Sequence, residues 1–199
     1  MSFYFLRPRG RAAQAVLGAL VAALAVLPVP AQASTIIYRT DAELIALSER
    51  VVHARVLRQR TERPEEGGTI YTVTTLAVLE DLTGRNGDIV DVWELGGAYG
   101  DEIMYVGGAV RYRVGEEVLV CLERGRRGLR SVAMGFSRFT VQRTGLGLPD
   151  AQLIRGMQDT LIVGAPAQLP RERSLAEFRT LAEQVRGRRA IRNESAELL

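Results

Sequence analysis

The longest strand-like pattern in the chain runs from Thr69 to Glu80 and contains neither glycine nor proline. β-Branched and aromatic residues at this density are typical of a strand, which at ~3.3 Å per residue would extend roughly 40 Å. Because that is about twice the usual strand length, we expect the strand to bend, as strands shared by two halves of a small barrel do. Apolar residues on both of its faces indicate that neighbouring structure covers both sides along part of its length.

Five further segments have the alternating or continuous apolar pattern of strands. Residues 51–58 alternate and reach the long strand through a polar loop, so the two segments predict a hairpin. The Asn86-Gly87 step predicts a tight turn into an antiparallel third strand at 89–95. The remaining strands are expected at 117–123, 129–136 and 137–143. Because the turns have hairpin spacing and strands do not alternate with helices, we predict a mainly β fold, a five- to six-stranded antiparallel OB-like barrel that is closed or half-closed.

Two capping-box patterns predict helices before and after the barrel. Thr40 and Glu43 mark the start of a short N-terminal helix at about 41–48. Ser174 and Glu177 begin a C-terminal helix at about 174–186, whose apolar residues recur at helical spacing: Leu175, Phe178, Leu181, Ala182 and Val185. Before that helix, residues 159–163 have the pattern of an edge strand.

Residues 1–33 have the layout of a secretory signal peptide. Three arginines precede an apolar run from Ala12 to Leu27, and Ala31-Gln32-Ala33 supplies a cleavage site of small residues. The run is short for a membrane span, so an uncleaved anchor is the less favoured alternative. We expect an exported protein, periplasmic or secreted, that meets a membrane only through the signal peptide before cleavage. The predicted organisation is the signal peptide at 1–33, an OB-like barrel domain at 34–148 and a C-terminal extension at 149–199.

The charge pattern argues against nucleic-acid binding. Three of the 26 basic residues lie in residues 1–33, which contain no acid, so the rest of the chain balances 23 basic residues against 23 acidic ones. The net charge of +3 therefore belongs to the signal peptide, and we expect no nucleic-acid partner. Every basic residue is arginine, and the absence of lysine excludes Schiff-base chemistry and amine nucleophiles.

Patterns for catalysis and metal binding are sparse. His53 is the only histidine and Cys121 the only cysteine, so an internal disulfide is impossible and a zinc site of the usual kind lacks ligands. Cys121 lies in a continuous apolar run, which favours a buried and unreactive thiol. Adjacent acidic residues at 80–81, 101–102 and 116–117 point to opposite faces of a strand and converge only through a turn. We therefore predict no catalytic residue, no metal and no cofactor.

The best candidate for a binding surface is the glycine-rich region from Gly96 to Arg113. It sets large amphipathic side chains among glycines, a combination that gives adaptable loops with interface anchors. The candidate binding residues are Tyr99, Met104, Tyr105 and Tyr112. The alternative is that these aromatics cap one open end of the barrel. A cluster of arginines at 124, 126, 127 and 130 is a second candidate, for an anion patch, although a charged hairpin tip is the commoner arrangement.

Parts of the chain resemble a known family. The run Ser48 to Val56, the polar loop, and the strand from Ile70 to Leu79 are similar to the N-terminal half of netrin-like domains, which include the tissue inhibitors of metalloproteases. The segment Val114 to Leu122, with Gly97 before it, is also similar to exported bacterial proteins of unknown role. The resemblance implies an OB-type barrel and motifs that are structural. It does not carry over metalloprotease inhibition, because that mechanism uses a disulfide-bonded N-terminal cysteine, whereas this chain would begin at Ser34 after cleavage.

Taken together, these features predict an exported, non-enzymatic binding or accessory module that acts through protein–protein contacts. Its partner would be an exported protein, for which a protease is one candidate. Two alternatives stay open: a small hydrolase that uses carboxylates with His53, and a carrier of a small ligand inside the barrel. Two carboxylates converging on His53 in a pocket would favour the enzyme, a large apolar cavity the carrier, and a filled barrel with an exposed groove the binding module.

Overall fold

The described residues of the computed structural model are 34–143, 151–156 and 160–197, so the predicted signal peptide at 1–33 lies outside them. The strands are β1 Ser34–Ile37, β2 Arg50–Glu62, β3 Tyr71–Asp81, β4 Ile89–Leu95, β5 Gly97–Tyr99, β6 Glu102–Met104, β7 Glu117–Arg124, β8 Leu129–Ser131, β9 Arg138–Gln142, β10 Gln152–Arg155, β11 Thr160–Val163 and β12 Glu172–Ser174. The helices are α1 Asp41–Leu47 and α2 Leu175–Glu197, with a 3-10 helix at Met134–Ser137.

Five strands close into a barrel, and the fold is mainly β. Their order is β7-β2-β3-β4-β8, and β8 pairs back onto β7 to complete the ring. All these neighbours are antiparallel except β4 and β8, which meet in parallel at the pair Val92 and Leu129. The predicted OB-like barrel with a helix near each end is therefore confirmed.

The two longest strands, β2 and β3, form the predicted hairpin with an irregular register. The pairing shifts between His53 and Ala54, and again between Val56 and Arg58. Bulges of this kind bend a strand and increase its twist, which a small barrel needs in order to close. The bulges therefore allow strands of 13 and 11 residues to wrap around the core instead of running straight past it.

Packed aliphatic side chains fill the barrel interior. Alternate residues of β2 and β7 point inward, as the period of two requires. They meet inward residues of β3 and β4, and Val110 and Tyr112 join them from the segment before β7. The buried members of this inner cluster are Val52, Ala54, Val56, Leu76, Val90, Val92, Val110, Tyr112, Val118, Val120 and Leu122.

A second hydrophobic cluster lies outside the barrel, against the other face of β2 and β7. Beyond β7 the sheet continues through β9, β10 and β12, and the helices pack on this extended sheet. Helix α1 begins with the predicted capping box, in which Thr40 and Glu43 exchange hydrogen bonds. The buried members of the outer cluster include Leu44, Ile45, Val51, Leu119, Cys121, Phe139, Leu153, Leu175, Phe178 and Ala182. The predicted stripe of α2 therefore forms part of the core.

The segment 129–136 differs from its prediction as one strand. Strand β8 ends at Ser131, and the chain turns through Ala133 and Met134, whose φ values are 51° and 55°. Left-handed backbone is unusual for residues other than glycine, so no turn signal marks this position. The 3-10 helix that follows carries the buried Phe136 into the outer cluster.

The ends of the described chain add elements beyond those predicted. The expected edge strand at 159–163 is present as β11, and it pairs in parallel with β1 in a separate two-stranded sheet. Helix α2 continues to Glu197, past the predicted end near residue 186. The predicted domain boundary at 148 falls within residues 144–150, outside the described residues, and β10 and β12 beyond it extend the same sheet. Neither described helix combines the length and hydropathy that a membrane span needs.

Candidate functional site

The four predicted binding residues occupy three different environments. Tyr99 and Met104 lie on a small hairpin, β5–β6, in which Gly97 pairs with Met104 and Tyr99 with Glu102. Tyr105 follows the hairpin, and both Tyr99 and Tyr105 are about half exposed. Tyr112 is instead buried in the inner cluster, so the structure does not bring the four side chains together on one surface.

An arginine of the β2–β3 loop holds the β5–β6 hairpin. Both terminal nitrogens of Arg63 bind the Glu102 carboxylate, at 2.9 and 2.6 Å, and the guanidinium carbon lies 5.1 Å from the centroid of the Tyr99 ring. The Arg63 guanidinium also holds the pKa of Glu102 below its usual value. Tyr105 has a similar partner in Arg111, whose guanidinium lies 5.6 Å from its ring centroid. These aromatics therefore already contact cations within the chain.

The outer face of β3 and β4 has a pair of aromatic side chains that the sequence analysis did not single out. Tyr71 pairs with Leu95 and Val73 with Trp93, so Tyr71 and Trp93 are diagonal neighbours on one face. Their ring centroids are 6.0 Å apart at an interplanar angle of 70°, an edge-to-face contact. Both side chains are partly exposed and form the floor of a concave surface.

This surface, here called the Tyr71–Trp93 groove, has walls from two loops. The β2–β3 loop supplies Pro64 and Glu65, and the turn between β7 and β8 supplies Arg126 and Arg127. Two adjoining cavities of about 300 and 200 Å³ share Tyr71 and both arginines as lining residues. An extended ligand could therefore cross Tyr71 and contact both loops.

The arginines of the β7–β8 turn differ in their partners. Arg127 pairs with Glu65 across the groove, and Arg130 pairs with Glu123 at 2.8 Å. Arg126 is exposed and forms no hydrogen bond or ion pair with any residue that the structure describes. Within the part of the chain that the structure describes, acidic partners therefore neutralise Arg124, Arg127 and Arg130 of the predicted cluster, and Arg126 alone is left without one at the rim of the groove.

Gly128 allows this turn to approach the aromatic floor. A Cβ atom at Gly128 would lie 2.7 Å from Cδ1 of Trp93 and 2.9 Å from Nε1, closer than real side chains pack. The turn therefore rests directly on the indole ring because residue 128 has no side chain. This contact positions Arg126 and Arg127 beside the aromatic floor.

His53 is the centre of a charged network between the barrel and α2. Its Nε2 lies 2.7 Å from Glu117 and its Nδ1 lies 3.8 Å from Glu80. Arg143 binds Glu117 at 2.7 Å, and Arg179 donates to both oxygens of Glu80. Burial acts to raise the pKa of Glu117, but hydrogen bonds from Arg143 and His53 outweigh it and hold that pKa below its usual value.

The two carboxylates come from different acidic pairs and converge because β2 lies between β3 and β7. No hydroxyl or thiol among the described residues hydrogen-bonds to His53, which lies beside the carboxylates of Glu117 and Glu80 instead. A nucleophilic mechanism needs such a group within reach of the base. An arginine also binds each of the two carboxylates. The network is therefore typical of a structural ion-pair cluster, one that holds α2 against the barrel.

The remaining candidate groups are a buried thiol and a buried carboxyl. Cys121 is fully buried, and burial raises the pKa of its thiol to about 12, which keeps it protonated. Glu94 points into the barrel, where burial raises the pKa of its carboxyl to about 7 although the Ser131 amide donates to it at 3.0 Å. Within the described residues, no three or more His, Cys, Asp and Glu side chains are arranged to hold a metal ion.

Comparison with known proteins yields no family model, no curated protein and no solved structure that matches this chain. The resemblance to netrin-like domains therefore stays an expectation.

Counting register from the sequence would have missed the groove. A two-residue turn at Asn86-Gly87 would pair Trp93 with Glu80, but β3 and β4 are joined by the longer segment 82–88 and Trp93 pairs with Val73. The predicted tight turn at this step is therefore wrong, although the antiparallel pairing that it implied is present. The approach of the β7–β8 turn had no local signal either. It depends on closure of the barrel through β8, a contact between distant parts of the sequence.

Proposed function

We propose that the protein is an exported, non-enzymatic binding module that holds an extended acidic segment of an exported protein partner in the Tyr71–Trp93 groove. The observation that carries this proposal is the edge-to-face pair of Tyr71 and Trp93 beside Arg126, which has no partner among the described residues. Tyrosine, tryptophan and arginine are the residues that most often supply the binding energy of protein interfaces. An open groove with such a floor suits a chain in an extended conformation.

The charges of the groove favour an acidic peptide over a nucleic acid. Three arginines and one glutamate line it, but Arg127 is paired with Glu65 and Arg130 with Glu123. A nucleic-acid site follows the phosphate backbone with several free cations, whereas only Arg126 of these arginines lacks an acidic partner among the described residues. One free guanidinium suits a carboxylate, with which arginine makes bidentate hydrogen bonds.

The barrel interior supports a binding module over a carrier. The inner cluster consists of closely packed aliphatic side chains around Leu76 and Val92, both fully buried. A carrier of the lipocalin type needs an open interior, whereas a filled barrel presents its ligand sites on the outside. One observation favours the hydrolase alternative, because Glu80 and Glu117 converge on His53. However, an arginine binds each of these carboxylates.

The test uses the fact that Trp93 is the only tryptophan in the chain. Peptides selected by display on the immobilised protein are titrated into it while the indole fluorescence is followed. We expect selected sequences enriched in aspartate and glutamate, and a saturable change in Trp93 emission. Tyr71→Ala and Arg126→Gln should each weaken this binding by about tenfold, since each removes an anchor of the groove.

Tyr105→Ala is the matched control, because it removes an exposed aromatic outside the groove and should leave peptide affinity unchanged. The proposal fails if selected peptides are not acidic, or if they bind without altering Trp93 emission. Stronger binding of a neutral oligosaccharide or of single-stranded DNA would assign the groove to a different class of partner. Thermal unfolding of each variant excludes a general loss of structure.

A further inference from the structure

The Tyr71–Trp93 groove already contains a carboxylate of its own, that of Glu65. Among the described residues that line its two cavities, Glu65 is the only acid beside three arginines. The Glu65 carboxylate accepts a hydrogen bond from Nη2 of Arg127, so this ion pair joins the β2–β3 loop to the β7–β8 turn across the groove. The Glu65 side chain has no other partner among the described residues. An intramolecular acid therefore occupies one arginine of a surface that suits acidic chains.

The β2–β3 loop places Glu65 at this position through a defined turn. The backbone N–H of Gly68 donates to the Glu65 carbonyl at 2.9 Å, which closes the turn. The start of the loop is held by Arg63, whose two terminal nitrogens bind the Glu102 carboxylate. The loop is therefore anchored on the β5–β6 hairpin, and its turn presents Glu65 at the wall of the groove.

The two members of the ion pair differ in their surroundings. The Arg127 side chain is 37% exposed, against 74% for that of Glu65. The turn that carries Arg127 is closed by a hydrogen bond from the Gly125 N–H to the Gly128 carbonyl at 2.7 Å, and Gly128 rests on Trp93. Arg127 is thus part of the groove wall, whereas the Glu65 carboxylate lies mainly in solvent. Exposed ion pairs are weak because water and salt screen them, so a competing carboxylate can replace Glu65.

The two arginines of the wall are consecutive in the sequence. Arg126 and Arg127 each line both cavities of the groove, together with Tyr71. An extended ligand that crosses Tyr71 therefore meets two guanidinium groups. Arg126 has no acidic partner among the described residues, and Arg127 is bound to Glu65. Each guanidinium matches one carboxylate in a bidentate arrangement, so the wall has places for two acidic groups.

We propose that Arg127 is a second carboxylate subsite of the groove, which Glu65 fills in the free protein and an acidic residue of the ligand takes over on binding. The inference rests on the proposed function and makes the ligand more specific: an extended chain with two neighbouring acidic residues. One of them binds Arg126 and the other displaces Glu65 from Arg127. Because Glu65 must leave first, the apparent affinity is lowered by the fraction of molecules in which Arg127 is free.

The test follows Trp93 fluorescence during titration with two synthetic extended peptides. One has two neighbouring glutamates, and in the other a glutamine replaces one of them. We expect Glu65→Gln to strengthen binding of the two-glutamate peptide about threefold, since an exposed ion pair is worth only a few-fold in affinity. The one-glutamate peptide should gain less, because it leaves Arg127 unfilled. Arg127→Gln should abolish the preference for the second glutamate, which then has no guanidinium to bind.

Glu66→Gln is the matched control. It removes the neighbouring exposed acid, which has no ion-pair partner among the described residues, and it changes the net charge by the same amount as Glu65→Gln. It should leave the preference for the two-glutamate peptide as it is in the wild-type protein. Thermal unfolding of each variant excludes a loss of structure.

The inference is overturned if Glu65→Gln and Glu66→Gln change this preference equally, or if Arg127→Gln retains it. In both outcomes the wild-type protein still binds acidic peptides with a change in Trp93 emission, so the proposed function stands without the second subsite. If neither peptide binds saturably to the wild-type protein or to Glu65→Gln, the proposed function and the inference fail together.

Discussion

The outer faces of β2 and β7 and the outer faces of β3 and β4 belong to one barrel but have different surroundings. On β2 and β7, Val51, Leu119 and Cys121 are completely buried beneath the extended sheet and the helices. On β3 and β4, Tyr71 and Trp93 stay partly exposed, covered only by a turn. The covered half therefore forms a second core, whereas the open half is available to a ligand.

The difference shows how the chain divides its apolar residues between stability and binding. The covered half is lined by small aliphatic side chains that interdigitate with Phe139 and Phe178, whose rings are 5.4 Å apart. The open half instead has two large aromatics with polar atoms at their edges, beside arginines. Side chains of that kind are compatible with water in the free protein and still bury large area on binding.

The largest expected effect of a substitution lies in the covered half. Phe178→Ala should lower the free energy of unfolding by about 3–5 kcal/mol, because it leaves a cavity beside Phe139 in a fully buried site. Leu95→Ala, at a 42% exposed position of the open half, should cost less than ~1 kcal/mol. Denaturant unfolding of both variants checks this, and equal losses would mean that the open half is also structural core.

A smaller effect is expected from Glu94, whose carboxyl group is buried inside the barrel behind the open half. Its folded-state pKa is about 7, above the ordinary value of 4.5, because burial disfavours the charged carboxylate. The folded protein therefore holds this proton over a range in which the unfolded chain has lost it. Stability should fall by about 3 kcal/mol as the pH rises from about 4.5 to about 7, and stay constant with respect to this group above pH 7.

Glu94→Gln should remove this dependence and stabilise the protein at neutral pH, since the amide oxygen can still accept from the Ser131 amide. The measurement is the difference in unfolding free energy between the two proteins across the pH series, which isolates Glu94 from other titrating groups. A difference that does not vary with pH would show that Glu94 is ionised in the folded state.

The fold was more predictable than the site because the strands and helices follow from signals between residues close in sequence. The site depends on contacts between residues that are distant in sequence. Alternation and the Asn86-Gly87 turn predicted β2, β3 and β4, and the Thr40 capping box predicted α1. Each of these signals is local. By contrast, the burial of Tyr112 and the contact between Gly128 and Trp93 depend on barrel closure, which no local pattern encodes.

The prediction that the strand continues after Ser131 was wrong for a related reason. Ala133 and Met134 adopt left-handed backbone without being glycine, so their conformation is imposed by surrounding packing. The apolar residues of that segment have the sequence pattern of a continuing strand. In the structure, the segment turns instead and packs into the outer cluster. A local pattern therefore failed where tertiary contacts outweighed the preference of the residues.

A pair of glycine substitutions should have moderate effects of opposite sign. Gly128→Ala should destabilise by about 1–3 kcal/mol and shift Trp93 emission, because the added Cβ would lie 2.7 Å from the indole. Gly187→Ala in α2 should instead stabilise by about 0.5–1 kcal/mol, since a Cβ there meets no atom within 4 Å and alanine favours the helix. Thermal unfolding and fluorescence check both, and a neutral Gly128→Ala would show that the turn does not rest on Trp93.

The smallest expected change in stability is that of Arg126→Gln, within about 0.5 kcal/mol, because this exposed side chain has no partner among the described residues. Its effect should be confined to binding at the open half, where a free guanidinium attracts an acidic peptide before contact. Stopped-flow measurement of Trp93 fluorescence should show that Arg126→Gln slows association of the peptide and weakens the dependence of that rate on salt.

The control is Arg85→Gln, which changes the net charge equally but removes an arginine that pairs with Glu49, outside the groove. Equal slowing by both variants would trace the attraction to the charge of the whole molecule, whereas slowing by Arg126→Gln alone would place it at the groove.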